Sequence, residues 1–161
     1  MNRYFPVALI AAVMATLVLP VASHAGDDVV TDYVVEDSFE NVHQDLSDAI
    51  VNRGYHIEHE GDVGSMLKRT GDTVGASKTV YENAGFLQFC SAVLSRGAME
   101  ADPSNIAFCP YVVFAYETPD APGKVHVGFR RLTPRGSEQS IKAIADVNAL
   151  LDDIVREAAG Q

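Results

Sequence analysis

Two apolar stretches, IAFCPYVVFAYE (Ile106–Glu117) and KVHVGFRR (Lys124–Arg131), are joined by only six residues, TPDAPG. A parallel crossover takes about a dozen residues or more, so this link makes the flanking strands antiparallel neighbours. KVHVGFRR alternates cleanly: Val125, Val127 and Phe129 share one face, and His126, Gly128 and Arg130 share the other. IAFCPYVVFAYE reads as a central strand. Pro110 must stand at its beginning or at a bulge, because proline has no N–H to give to a ladder. Such a hairpin commits the chain to a sheet, and the remaining segments have to cover it.

Those segments are legible by period. VVTDYVVE (Val29–Glu36) is rich in β-branched residues and predicts a first strand. Ser38 is a good N-cap for a helix in which Phe39, Val42, Leu46, Ala49 and Ile50 recur at helical spacing, with Gly54 as its stop. YHIEHEG follows as a strand, with Tyr55, Ile57 and His59 on one face and His56 and Glu58 on the other. Asp62 is placed to cap a short helix carrying Val63, Met66 and Leu67; Gly64, Gly71 and Gly75 argue against a longer one. FLQFC predicts a strand, and SAVLSRGAMEA a helical turn or two ended by DPSN. Finally Ser137 caps a helix of about five turns, striped by Ile141, Ile144, Val147, Leu151, Ile154, Val155 and Ala158. It packs on the sheet or is shared with a second subunit. The fold class is α+β: a mostly antiparallel sheet of four to five strands with helices on one face. Phe86, Phe89, Phe108, Tyr111 and Phe114 are expected in the core, with a pocket beneath Cys109 as the alternative.

The N-terminus sets the expected compartment. MNR is a short positive start, YFPVALIAAVMATLVLPVA is nearly unbroken apolar sequence, and Ser23 and Ala25 are small residues spaced for signal-peptidase cleavage. The pattern predicts a signal peptide over residues 1–25, cleaved after Ala25, and a periplasmic domain over 26–161. The alternative is an uncleaved membrane anchor. Removing Arg3 from the 12 Lys+Arg leaves 11 against 22 Asp+Glu, a net charge of −11. So acidic a chain repels nucleic acid and anionic membranes, which need clustered Lys and Arg, and could favour a basic partner protein.

Both cysteines, Cys90 and Cys109, lie in FCSAVLSRGAMEADPSNIAFCPY. In an exported chain the first expectation for two cysteines is one structural disulfide. Cys90 ends one predicted strand and Cys109 begins the next, so a reversal of direction would bring them within bridging distance. The second reading is a thiol-based redox or sulfur-handling pair. Ser91 could begin a helix whose N-terminus lowers the Cys90 thiol pKa, and Arg96 follows one or two turns later. Against it stand the lack of Cys-x-x-Cys and the apolar setting of Cys109. Metal or haem binding is third: Cys-Pro is a recurrent setting for a thiolate ligand, and His56, His59 and His126 are available. Their spacings are poor, since His56 and His59 point to opposite faces of a strand, and no metal ligand is assigned. His43 falls on the Asn41–Gln44–Asp48 side of its helix and is expected in solvent. Arg96, Pro110, Tyr111 and Arg130 are the candidate pocket or anion contacts.

Phosphate loops, nucleophile elbows and His-Glu-x-x-His are missing. GDVG and GDTVG lack the acids of a calcium loop. No catalytic constellation is legible, an enzyme is not expected, and no cofactor is assigned. The partner expected is a small ligand or a periplasmic protein.

Four segments, AIVNRGYHIE, GSMLKRTG, FCSAVLSRGAMEADPSNIAFCPYVVFAYE and GKVHVGFRR, together resemble the domain-of-unknown-function family 302, in particular an exported bacterial branch with paired cysteines. The likeness spans about Val34–Leu132. It implies a strand-helix-four-strand-helix plan, similar to a half-repeat of the TATA-binding protein fold, and a capacity to form a homodimer. It implies no reaction and no catalytic residues. Simpler members have Gly and Pro near Cys90 and Cys109-Pro110, which implies that the cysteines are an addition to the fold. The function expected is that of an exported, non-enzymatic accessory or small-ligand-binding protein stabilised by one disulfide.

Overall fold

The hairpin forms as its short link requires. In a computed structural model, which describes residues 29–161, β4 (Tyr111–Glu117) and β5 (Lys124–Arg130) pair antiparallel from Val113 opposite Phe129 to Glu117 opposite Val125. The turn is closed from within. The buried Glu117 carboxylate accepts from Gly123 N at 2.7 Å and from Asn83 Nδ2 at 3.0 Å, so both its oxygens are used.

β1 (Val30–Glu36), β2 (Ile57–Asp62) and β3 (Asn83–Phe89) complete an all-antiparallel sheet in the order β1-β5-β4-β3-β2. The last-made strand, β5, lies beside the first, and β1 and β2 are the two edges. Three helices cover one face. α1 (Phe39–Val51) starts at Ser38, whose hydroxyl accepts from Asn41 N. α3 (Ala92–Ala101) is capped by Ser91, and α4 (Glu138–Ala158) by Ser137. Leu46, Ile50, Leu87, Phe89, Val113, Val127, Ile144, Leu151 and Ile154 form the centre of the core between these helices and the sheet. α2 (Val63–Thr70), capped by Asp62, continues from β2 and buries none of its residues. None of the described helices is long and apolar enough to cross a membrane. The expected leader over residues 1–25 lies outside the described residues.

The cap assignments hold, and so do the strands, with four differences. Ile106–Phe108, read as the start of the central strand, belong to a 3-10 segment over Pro103–Phe108, and β4 begins only after Pro110. Ile141, placed in the α4 stripe, is 44% exposed, and Ser140 is buried in its stead, where its hydroxyl accepts from Asn105 Nδ2 at 2.9 Å. Phe86 and Phe114 leave the core: strand alternation puts them on the uncovered face. A register shift between Ile57 and His59 separates two residues expected on one face. Ile57, opposite Phe89, faces the helices, whereas His59, opposite Gln88, faces the open side.

Candidate functional site

The cysteine end is assembled by caps. Phe89 closes β3, Cys90 follows, and Ser91 opens α3 by accepting from Leu94 N at 3.3 Å. Asp102 then caps a 3-10 segment, Pro103–Phe108, by accepting from Ser104 N at 2.8 Å; hydrogen bonds from the Ser104 side chain and backbone hold its carboxyl below the usual range. Cys109 ends that segment, and a cis Cys109-Pro110 bond leads into β4. The reversal brings Cys90 and Cys109 to a Cα separation of 6.5 Å, and they are bridged.

Beneath the bridge sits a polar pair that the sequence reading missed in part. Ser95 Oγ lies 3.8 Å from Cys109 Sγ and 2.9 Å from the Tyr111 hydroxyl. Tyr111 is buried edge-on against Phe89. Burial pushes its phenol pKa up, against the opposing pull of the Ser95 hydrogen bond. Ser95 could have been found at i+4 from the Ser91 cap, on the face turned inward. Pro110 is exposed beside the bridge. Arg96 is 80% exposed at its side chain and bonded to Glu100 Oε1 at 2.9 Å, so its charge is spent in solvent. Arg130 lies at the end of β5, on the face opposite Tyr111. Cys90, Cys109, Pro110 and Tyr111 therefore come together, and Arg96 and Arg130 do not join them.

At the other end of β3 the structure opens a cleft of about 760 Å³ between α1, β2, β3 and the segment that carries α2. Phe39 and His43, one turn apart on α1, stack at 5.5 Å and form its inner wall. His43 is only 18% exposed, not solvated as expected, and its Nε2 stands 3.5 Å from Glu60 Oε1. Glu60 reaches it because the β2 shift turns this carboxylate to the helix side, opposite Leu87. Two glycines shape the floor. A Cβ on Gly85 would stand 3.6 Å from His43 Nε2 and 3.3 Å from the Gly61 carbonyl oxygen, and one on Gly64 would press on Ala84 N at 3.0 Å. Lys68, Lys78, Tyr81 and Asn83 complete a rim of mixed charge and hydrogen-bonding groups. The signal for His43 was present: Phe39, His43, Leu46 and Ile50 are themselves spaced as a helical stripe.

The remaining histidines lie apart. His126 Nδ1 meets Asp32 Oδ2 at 2.6 Å on the open face, and its ring lies parallel to Tyr116 at 4.5 Å. Burial, and secondarily the Asp32 charge, raises the Tyr116 pKa. His59 leans on Phe86 at 5.8 Å, and His56 is exposed. Among the described residues no three of His, Cys, Asp and Glu converge as a metal site.

Two comparisons with known proteins bear on this geometry. Residues 31–158 match the model of the domain of unknown function DUF302. The crystal structure of an uncharacterized conserved DUF302 protein from Bacillus stearothermophilus superposes with a TM-score of 0.67 at 12% identity, covering 81% of this chain and 98% of that one. No curated protein matches the chain.

Proposed function

The chain belongs to the DUF302 family, whose name carries no reaction, and on that premise we propose that it is an exported accessory protein that holds a small ligand. The Cys90–Cys109 bridge serves it as a structural staple. The ligand seat in this reading is the cleft beside His43. The observation that carries it is the conjunction there of a glycine floor, an aromatic wall and converging polar groups, the usual composition of a small-molecule site. The His43 ring nitrogens and the Glu60 carboxylate offer a donor and acceptors to a polar ligand. Phe39 and Tyr81 offer ring faces, and Lys68 and Lys78 reach an anionic substituent on the ligand. Export rests on the pattern of residues 1–25 and on a bridge that an oxidising compartment would preserve. The test is an amide-resolved NMR titration with a panel of small amines, carboxylates and aromatic heterocycles. Shifts clustered at Gly61, Gly64 and Gly85, and lost in Gly85→Val, support the reading. Binding elsewhere, or none across the panel, overturns it.

One observation favours a second reading, a thiol-exchanging pair: Cys90 immediately precedes the N-cap of α3, where the helix dipole stabilises a thiolate. The reduction potential separates the two. A value below about −300 mV belongs to a staple, and one near about −200 mV to a bridge that exchanges.

A further inference from the structure

We propose that the cleft between β1 and α4 binds a free dipeptide by its two charged ends, with Arg131 taking the carboxylate and Asp152 the ammonium. This cleft has a volume of about 600 Å³ and lies at the opposite edge of the sheet from the His43 cleft. The buried ring of Phe129 forms its floor, and Ala145 and Ala149 form the α4 wall. Asn148, between them on the helix, is spent on the backbone. Its Oδ1 accepts from Leu132 N and its Nδ2 donates to the Leu132 carbonyl oxygen, each at 2.8 Å. That clamp fixes α4 against the chain leaving β5, so the cleft is preformed.

Two opposite charges line this cleft without meeting. Arg131 Nη2 donates to Thr31 Oγ1 at 2.9 Å, and the Tyr33 hydroxyl donates to Asp152 Oδ1 at 2.8 Å. Each charged group is thus oriented by a neutral partner on β1, and among the described residues neither is in an ion pair. The guanidinium has five N–H donors, enough to keep Thr31 and still grip a carboxylate. Arg156 packs over the Tyr33 ring at 5.7 Å but does not line the cleft. An anion held by Arg131 alone is repelled by Asp152, and a cation held by Asp152 alone is repelled by Arg131. A ligand with one charge at each end satisfies both, through a charge-assisted hydrogen bond at each.

The spacing of the two anchors sets the length of the ligand. Thr31 and Tyr33 are two residues apart on one face of β1, about 7 Å of strand rise. On the other wall Asn148, which holds the residue after Arg131, and Asp152 are four residues apart, about 6 Å of helix. An extended dipeptide spans at most about 7 Å, and a single amino acid about half of that. Its side chains fall between Phe129 and the two alanines, where there is room for small apolar groups.

The experiment is calorimetric titration of the purified protein with alanyl-alanine, its N-acetyl form, its C-terminal amide and free alanine, with amide-resolved NMR to place the site. Alanyl-alanine should bind with shifts at Thr31, Tyr33 and Ala149. Each blocked form, and alanine, should bind about tenfold or more weakly. Arg131→Gln keeps a donor for Thr31, and Asp152→Asn keeps an acceptor for Tyr33. Arg131→Gln should erase only the penalty of amidation, and Asp152→Asn only that of acetylation. The absence of saturable binding by alanyl-alanine overturns the proposal, as do blocked forms that bind equally well. Shifts clustered at Gly61 and Gly85 overturn it too, because they place the peptide in the His43 cleft. These three outcomes are read on the wild-type chain, so they hold even where a variant fails to fold.

Discussion

The two edges of the sheet are built on different rules. β1 is regular over seven residues, valine-rich, and paired with β5 at every position. β2 is shorter, broken by a register shift after Ile57, and acidic, and it passes directly into a helix. Each edge offers a carboxylate to a histidine, but on opposite sides. Asp32 meets His126 on the open face at 2.6 Å, and Glu60 meets His43 on the helix face at 3.5 Å. The shift in β2 is responsible, because it rotates Glu60 inward and His59 outward. One irregular residue thus closes the β2 edge to strand addition and puts a carboxylate at the mouth of a cleft. At β1, regularity leaves the outward backbone groups available beside a cleft of mixed lining, from Phe129 and Ala149 to Arg131 and Asp152.

The largest expected effect tests whether the two edges are mechanically separate. Replacing both Cys90 and Cys109 by Ala should cost about 3 kcal/mol in the chain-entropy model, read as a lower urea midpoint. The bridge ties the exit of β3 to the entry of β4, on the β2 half of the sheet. Hydrogen exchange should therefore accelerate more at β2 and β3 amides than at β1. Equal acceleration at both edges would show that the sheet opens as one unit.

The next effect compares two glycines. A Cβ on Gly128 would fall against the Thr31 carbonyl oxygen and 2.9 Å from Asp32 Cα, so it would press on the backbone of the β1 edge. A Cβ on Gly61, at the β2 edge, would fall inside the Phe86 ring, a side chain able to swing into solvent. Gly128→Ala should cost about 1–3 kcal/mol, and Gly61→Ala distinctly less, by the same urea midpoints. The reverse order would mean that Phe86 is locked in place by the aromatic row on the open face.

The smallest effect concerns pH and has opposite signs at the two edges. Hydrogen bonds from the Ser65 side chain and backbone lower the Asp62 pKa at the end of β2. Its contribution is present above the ordinary carboxylate pKa and is lost as pH falls through the lowered value. Burial, then the bond to Asp152, raises the Tyr33 pKa on β1. Its contribution is present below the ordinary tyrosine pKa and is lost as pH rises through the raised value. Urea midpoints followed against pH should show Asp62→Asn flattening only the acid limb and Tyr33→Phe only the alkaline one.

What was legible in the sequence was what neighbours along the chain decide. Ser38, Asp62, Ser91 and Ser137 announce helix starts because a cap acts over three residues. TPDAPG announces a hairpin because a short link has one geometry. Two of the misplacements concern partners distant in sequence. His59 changes face because β3 sets the β2 register. Ile141 is displaced by Ser140 because Asn105, 35 residues earlier, needs an acceptor. Phe86 and Phe114 are apolar enough for a core, yet alternation leaves them on the face no helix covers. The cleft was least legible: its glycines, His43 and Glu60 come from separate elements, and only packing brings them together.

The place of β1 in the sheet also sets an order in time. Val30 has to wait for Arg130 before it finds its ladder partner, and the Tyr33 hydroxyl waits for Asp152, 119 residues on. Contacts so far apart along the chain close late and slowly. The first strand made is consequently among the last to be locked. An edge finished last offers no template to another chain until its own chain is complete, and that delay shields a growing chain from pairing too early.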